Sequence, residues 1–298
     1  MTKATLDIAE YVRSRSLLIE QQLDKLIPLM EVPYRQLFEA ARYSLLGGGK
    51  RLRPLLALAI TEALGGTLEK ALPAVCALEL VHVYSLIHDD LPCMDDDDFR
   101  RGKPSLHKAY PEALAVLTGD FLLTYSFEIL ANDPLLTNEQ KVKLIVSLSK
   151  HAGSEGMIVG QVLDIQAEGQ EIDLSHLHLI HAKKTGALFI ASAEFGGILA
   201  NATEFDMNTL RQYSKDLGLA FQIMDDILDV TSSCQKHGKA VGSDAINEKT
   251  TFVTLMGIQK SQTYIDTLYN SAIKALNCLN GDTEILEGLT SRILNRNP

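Results

Sequence analysis

Six aspartates and two arginines fall within the seventeen residues from Leu86 to Gly102, directly behind an apolar run that ends at Asp89. Carboxylates this close repel one another when all are ionised. Such a stretch either stays in water or holds a divalent cation, and the solvated acidic loop is the ordinary outcome. Here Asp89 and Asp90 end what should be a buried helix, which fixes their position. Arg100 and Arg101 follow at once, and a metal-bound phosphate needs cations of that kind beside it. Far downstream, Asp225, Asp226 and Asp229 stand in a second apolar, helix-periodic run, with Asp225 and Asp229 on one face. Unpaired aspartates are rarely placed on a buried face. Two such clusters, each on a hydrophobic helix, suggest two helical walls facing each other across a cavity. Oxygen ligands without thiolate or paired histidine favour Mg²⁺. The D-x-D-x-D-G pattern of a calcium loop is absent.

With 298 residues, 46% of them apolar, the chain fits one large all-helical domain spanning residues 1–298. A net charge of −10 argues against nucleic acid as the partner, so an anionic substrate must be met by a local basic cluster or by metal. Cys76, Cys93, Cys234 and Cys278 show neither C-x-x-C nor zinc spacing, and the first residues carry no apolar signal region. Both features point to free thiols in a reducing cytoplasm. The longest apolar stretch, Ala71 to Ile87, is interrupted by Glu79 and His82 and fits a core helix better than a membrane span.

Apolar spacing predicts helices over about 6–29, 33–46, 54–64 and 72–90, then one through Leu130 after a loop at 103–108. Further helices are expected over about 138–151, 154–167, 174–200 and 206–230, with helical pattern again from 252 to 294. No β alternation or fixed repeat is evident. The expectation is an all-α fold, a single large bundle of on the order of ten or more helices around a deep central cavity. Gly47-Gly48-Gly49 precede Lys50, Arg51 and Arg53 at a helix start, a candidate anion site, although the P-loop pattern is not met. His82 lies about two turns before Asp89 and shares its face. Glu79 and His82 make one E-x-x-H pair; a carboxylate-bridged di-iron site needs two. Lys183 reads as a solvated cation, whereas Lys184 and Thr185 lie where they could face a cavity. Gly156, Gly160, Gln161 and Asp164 mark a helix that packs closely on a neighbour or leaves room for ligand.

These residues together resemble the trans-isoprenyl diphosphate synthase family. Asp89-Asp-Leu-Pro-Cys-Met-Asp95 followed by Arg100-Arg101 is similar to the family's first aspartate-rich motif, and Asp225-Asp-Ile-Leu-Asp229 to its second. Gly48 to Pro54, Lys184-Thr185-Gly186 and Phe221-Gln222 complete the match, in family order from about residue 30 onward. Within the family the chain is similar to bacterial farnesyl diphosphate synthases and to the geranylgeranyl synthases of bacteria and plastids. The resemblance implies an isoprenoid-synthase-type bundle and a Mg²⁺-dependent head-to-tail condensation of isopentenyl diphosphate with allylic diphosphates (dimethylallyl, geranyl). It implies three Mg²⁺ ions when substrate is bound. It also implies a homodimer, on family grounds alone.

By the same resemblance, Asp89 and Asp95 bind metal on one wall and Asp225 on the other, with Asp90, Asp226 and Asp229 completing the clusters. Arg100, Lys184 and Lys239 would hold the allylic diphosphate. Lys50, Arg53, His82 and Arg101 would hold isopentenyl diphosphate without metal. Thr185 and Gln222 would point oxygens at the allylic carbocation, and Lys249 would close the site. Tyr84 and Ser85, five and four residues before Asp89, would form the cavity floor that sets product length. An aromatic floor favours a C15 product, (2E,6E)-farnesyl diphosphate, whereas Cys93 is similar to plastid C20 enzymes and keeps geranylgeranyl diphosphate open. The chain departs from the family pattern at Lys249-Thr-Thr-Phe-Val253 and at Leu106, neither of which touches an expected metal ligand. A non-catalytic partner subunit would lack aspartates that are present here. A terpene cyclase would not need the second basic cluster.

Overall fold

Burial decides the layout. The helix that ends in the first aspartates, α4 (Leu68–Asp89), is apolar nearly all round, and such a helix belongs in the interior. It packs against α1 (Ile8–Leu26), α2 (Arg35–Leu45), α3 (Leu52–Ala63), α6 (Glu112–Asn132) and α10 (Ala187–Leu199). The computed structural model describes residues 7–231 and 250–294. Lys239 and Lys249, both expected at the substrate, lie outside the described residues. The expected all-α architecture is present: the described residues form a bundle of helices with one two-residue hairpin.

The remaining helices close around this centre. They are α5 (Leu106–Ala109), α7 (Asn138–Ala152), α8 (Met157–Ala167), α9 (Leu174–His181), α11 (Glu204–Thr231), α12 (Phe252–Met256), α13 (Ile258–Leu276) and α14 (Glu284–Leu294). Side-chain caps fix several starts. Asp7 accepts from the N–H of Ala9 at 2.9 Å, and Thr137 with Gln140 forms a reciprocal capping box at α7. Helix α4 begins at Leu68, earlier than the expected start near residue 72. Pro73 therefore sits in its second turn, where the missing N–H removes a single ladder bond.

Two local departures from the sequence expectation shape the surroundings of the aspartates. Beyond Asp98 the chain forms an antiparallel hairpin, Phe99–Arg100 against Lys103–Pro104, in place of an irregular loop. Arg101 and Gly102 both take positive φ, 54° and 76°, the left-handed pair that a tight hairpin turn requires. The helix expected over 174–200 is not one α-helix. A π turn, Ala182–Gly186, joins α9 to α10, and such turns are frequent at functional sites. Helix α8 lies directly against it: a Cβ on Gly160 would fall 2.1 Å from the Lys184 backbone nitrogen. This accounts for the small residue there.

Helices α4 and α6 are each long and apolar enough to cross a membrane by length and composition. In α4, 67% of the relevant stretch is buried within the protein, which identifies a core helix. In α6 the share is 39%, and Val116 and Leu117 face outward.

Candidate active site

The first aspartate motif curls back on the end of α4. The Asp95 N–H donates to the Asp89 carbonyl at 2.9 Å, and the Met94 and Asp96 N–H groups both donate to the Leu91 carbonyl. This brings the charges of Asp89 and Asp95 close. Burial pushes the Asp89 carboxyl up to about 6, with Lys184 opposing the rise and Asp95 adding to it. A buried carboxyl beside a second carboxylate is the situation that a divalent cation relieves, so the oxygen donors here fit Mg²⁺. Asp90 is placed differently. It is buried, and both its oxygens accept from Arg100, whose Nε lies 3.0 and 3.2 Å from them. Arg100 also donates to Asp97 at 3.1 Å.

On the opposite wall, α11 divides the second motif between two roles. Asp225 lines a cavity, while buried Asp226 accepts from the N–H of Phe252 at 2.8 Å and so ties α11 to the start of α12. Asp229, one turn beyond Asp225, is half-buried.

Two cavities meet between these walls. One, of about 550 Å³, is lined by Lys50, Arg53, His82, Arg101, Gln222 and Asp225. The other, of about 570 Å³, is mainly apolar and has Asp89, Lys184, Tyr84, Ser85, His88, Met94 and Leu123 in its wall. Arg53, His82 and Thr185 belong to both. The Thr185 hydroxyl donates to Gln222 Oε1 at 2.8 Å, placing a pair of polar oxygens at the junction. All the residues expected at a metal-free diphosphate site thus surround one cavity, and both expected floor residues line the other.

The electrostatics of the basic cavity follow from burial. It lowers Arg53 to about 10, and the Arg53 Nε is shielded from solvent without a hydrogen-bond partner. The Arg53 guanidinium sits 5.7 Å from the Phe189 ring centre. Burial, reinforced by Arg53 and Arg101, holds His82 well below the usual imidazole range. His82 is therefore a neutral hydrogen-bonding group among arginines. Arg101 donates to the Gly48 carbonyl, and its guanidinium lies so close to Gly49 that a Cβ there would be 2.6 Å away. The glycine run gives the guanidinium this close approach to the backbone.

The structure corrects the reading of Arg51 and Glu79. The sequence suggests one basic cluster from Lys50 to Arg53, yet Arg51 takes φ 49° and turns into the core. There its Nη1 donates to Glu79 Oε1 at 2.8 Å and its Nη2 to the Leu45 carbonyl at 2.7 Å. Glu79 is thus the partner of a buried arginine, and the E-x-x-H pairing with His82 has no metal-site meaning. The Lys183 ammonium donates to the Glu155 carbonyl at 2.7 Å in an exposed contact, in keeping with a solvated cation. Two contributors have no assigned role in the sequence reading. Asp164 accepts from Lys184 at 2.6 Å, and His181 stacks on Phe252 behind the π turn. The four-residue spacing of Gly160 and Asp164 is the available signal for the first, since it puts both on the α8 face that meets Lys184.

Residues 34–280 match the family model described as polyprenyl synthetase. The chain is 44% identical over 275 residues to the large subunit 1 of a heterodimeric geranylgeranyl pyrophosphate synthase of Arabidopsis thaliana, covering 90% of this chain and 74% of that one. It is 42% identical over 294 residues to the farnesyl diphosphate synthase of Bacillus subtilis, covering 98% and 99%. Among solved structures, an FPP/GFPP synthase from Zymomonas mobilis superposes with a TM-score of 0.88 at 36% identity, over 98% of this chain and all of that one. The chain belongs to the polyprenyl synthetase family and is a trans-prenyl synthase that condenses isopentenyl diphosphate with allylic diphosphates.

Proposed function

We propose that this enzyme makes (2E,6E)-farnesyl diphosphate in a Mg²⁺-dependent reaction, acting as a homodimer in the cytoplasm. The observation that carries the reading is the junction of two unlike cavities at Arg53, His82 and Thr185. One is basic and suits a diphosphate held without metal; the other is apolar, with Tyr84 one helical turn before Asp89. Free thiols at Cys76, Cys93 and Cys278 suit a reducing compartment. The outward apolar residues of α6 suit burial against a second copy. Continuous packing of helices around α4 supports a single domain.

Asp89, Asp95 and Asp225 hold Mg²⁺, with Asp90, Asp226 and Asp229 supporting their positions. Bound there, the metal supplies positive charge to the departing diphosphate. The chain's own groups do the rest. Lys184, held by Asp164, and Arg100, held by Asp90, orient the allylic diphosphate. Lys50, Arg53, His82 and Arg101 fix isopentenyl diphosphate beside it. Thr185 and Gln222 present oxygens to the allylic carbon as positive charge develops. Lys239 and Lys249 are proposed as further diphosphate contacts on resemblance to the family.

The reading is tested by incubating the protein with Mg²⁺, isopentenyl diphosphate and dimethylallyl diphosphate, then sizing the dephosphorylated product by mass spectrometry. A C15 alcohol is expected; a C20 alcohol keeps the chemistry and replaces the farnesyl assignment with geranylgeranyl. Two variants probe the cavities separately. Tyr84→Ala opens the apolar cavity below Asp89 and is expected to shift the product toward C20 and longer, and an unchanged product would remove Tyr84 as the floor. Arg53→Ala is expected to raise KM for isopentenyl diphosphate by about 10- to 100-fold, as the loss of a charge-assisted contact worth roughly 1.5–3 kcal/mol implies. An unchanged KM would move the second substrate elsewhere.

A further inference from the structure

Behind the first aspartate motif lies a second group of ligands that the condensation does not use. The ligand atoms of Asp96, Asp98 and His107 all fall within 4.8 Å of one another. Asp96 and Asp98 are exposed, but the His107 side chain is only 3% exposed. Its Nε2 is shielded from solvent and has no hydrogen-bond partner. That nitrogen faces Asp96 Oδ1 at 3.9 Å, too far for a hydrogen bond. A buried polar nitrogen left without a partner costs about 1–3 kcal/mol, and this one is aimed at a carboxylate.

The other nitrogen of the ring is already committed. His107 Nδ1 lies 3.2 Å from the Ser105 hydroxyl. When Nδ1–H donates to that oxygen, Nε2 presents its lone pair toward the aspartates, which is the tautomer a metal ligand needs. The 3.9 Å gap between Nε2 and Oδ1 is wider than the roughly 3.3 Å that two bonds of about 2.0–2.1 Å span at a tetrahedral ion, so the exposed Asp96 side chain would move in by about half an ångström to bind. A cation already pairs with one carboxylate of this group. Lys108 Nζ sits 2.8 Å from Asp98 Oδ1 and 3.9 Å from Asp96 Oδ1. Lys108 is itself substantially exposed, so its flexible chain can swing into solvent.

We propose that Asp96, Asp98 and His107 form a second divalent-cation site, separate from the oxygen-only cluster of Asp89, Asp95 and Asp225. One imidazole and two carboxylates select a borderline first-row ion such as Zn²⁺ or Co²⁺ over Mg²⁺. The ion displaces the Lys108 ammonium and ties the acidic loop to α5. The loop it fastens carries Asp95 on one side and the Arg100–Arg101 hairpin on the other.

The test is Co²⁺ titration of the metal-free protein in the presence of excess Mg²⁺, followed by visible absorption and calorimetry. One Co²⁺ equivalent is expected at this site in the wild type. It should weaken in His107→Gln and Asp98→Asn by more than the roughly 10- to 100-fold that an outer-shell partner is worth, and persist in Asp89→Asn. Lys108→Met removes the competing ammonium and is expected to tighten binding several-fold. That variant keeps the proposal testable should His107→Gln fail to fold. Loss of the equivalent in Asp89→Asn but not in His107→Gln would place the ion in the Mg²⁺ cluster and overturn the proposal. Absence of a Co²⁺ equivalent in the wild type, or unchanged affinity in Lys108→Met, would overturn it as well.

Discussion

Asp89→Asn is expected to lower kcat by at least about 10²- to 10³-fold, the scale on which a single group stabilising transition-state charge acts, while leaving the protein no less stable. Both halves have one cause. Burial pushes the Asp89 carboxyl up to about 6, so its ionised form is disfavoured before any cation arrives. Asparagine has the same shape without the charge, and it relieves that penalty in metal-free buffer. It also removes an anionic ligand. A thermal melt without Mg²⁺ and a steady-state assay with Mg²⁺ separate the two effects. Retained activity would remove Asp89 from the metal site. A large loss of stability would show that the carboxylate is held by contacts other than those described.

Arg51→Met is expected to produce the largest loss of stability of any single substitution near the basic cavity. The Arg51 and Glu79 side chains are 0% and 1% exposed, and they meet at 2.8 Å. Removing the guanidinium takes away the direct partner of a buried carboxylate and leaves only the charges of Arg53 and Arg101 to offset it, which costs up to about 3–5 kcal/mol. It also frees the Leu45 carbonyl. Urea denaturation should read this as a lower midpoint with an unchanged slope. The double variant Arg51→Met/Glu79→Met should recover most of the loss, because an apolar pair of similar volume replaces a buried ion pair at little cost. Failure of the double variant to recover would assign Arg51 a backbone role, through its left-handed turn, rather than an electrostatic one.

The same pair shows where the sequence is legible and where it is not. The aspartate clusters can be read because runs of charge at the ends of apolar helices are rare, and Asp89 and Asp225 do line adjoining cavities. Lys50, Arg53, His82 and Arg101 line one cavity, although Arg101 is distant from the others in sequence. Arg51 misleads because chain adjacency suggests a shared role, whereas its guanidinium, although in the wall of the same cavity, is committed to Glu79 and the Leu45 carbonyl. Its partner Glu79 lies twenty-eight residues away, beyond local pattern. The hairpin is hidden because two-residue strands show no alternation to detect. The π turn is hidden because the helical pattern continues through it.

That π turn gives one continuous run of helix two unrelated stripes. An extra residue in a turn advances the downstream helix by about 100° relative to the upstream one. Helix α9 accordingly rests on α8, α11 and α12, while α10 rests on α3, α4, α7 and α11. A regular helix would have to choose one orientation for both halves. The shift in phase lets a single span belong to the outer wall at one end and the central core at the other. Lys184 and Thr185 occupy the place where the two orientations change over.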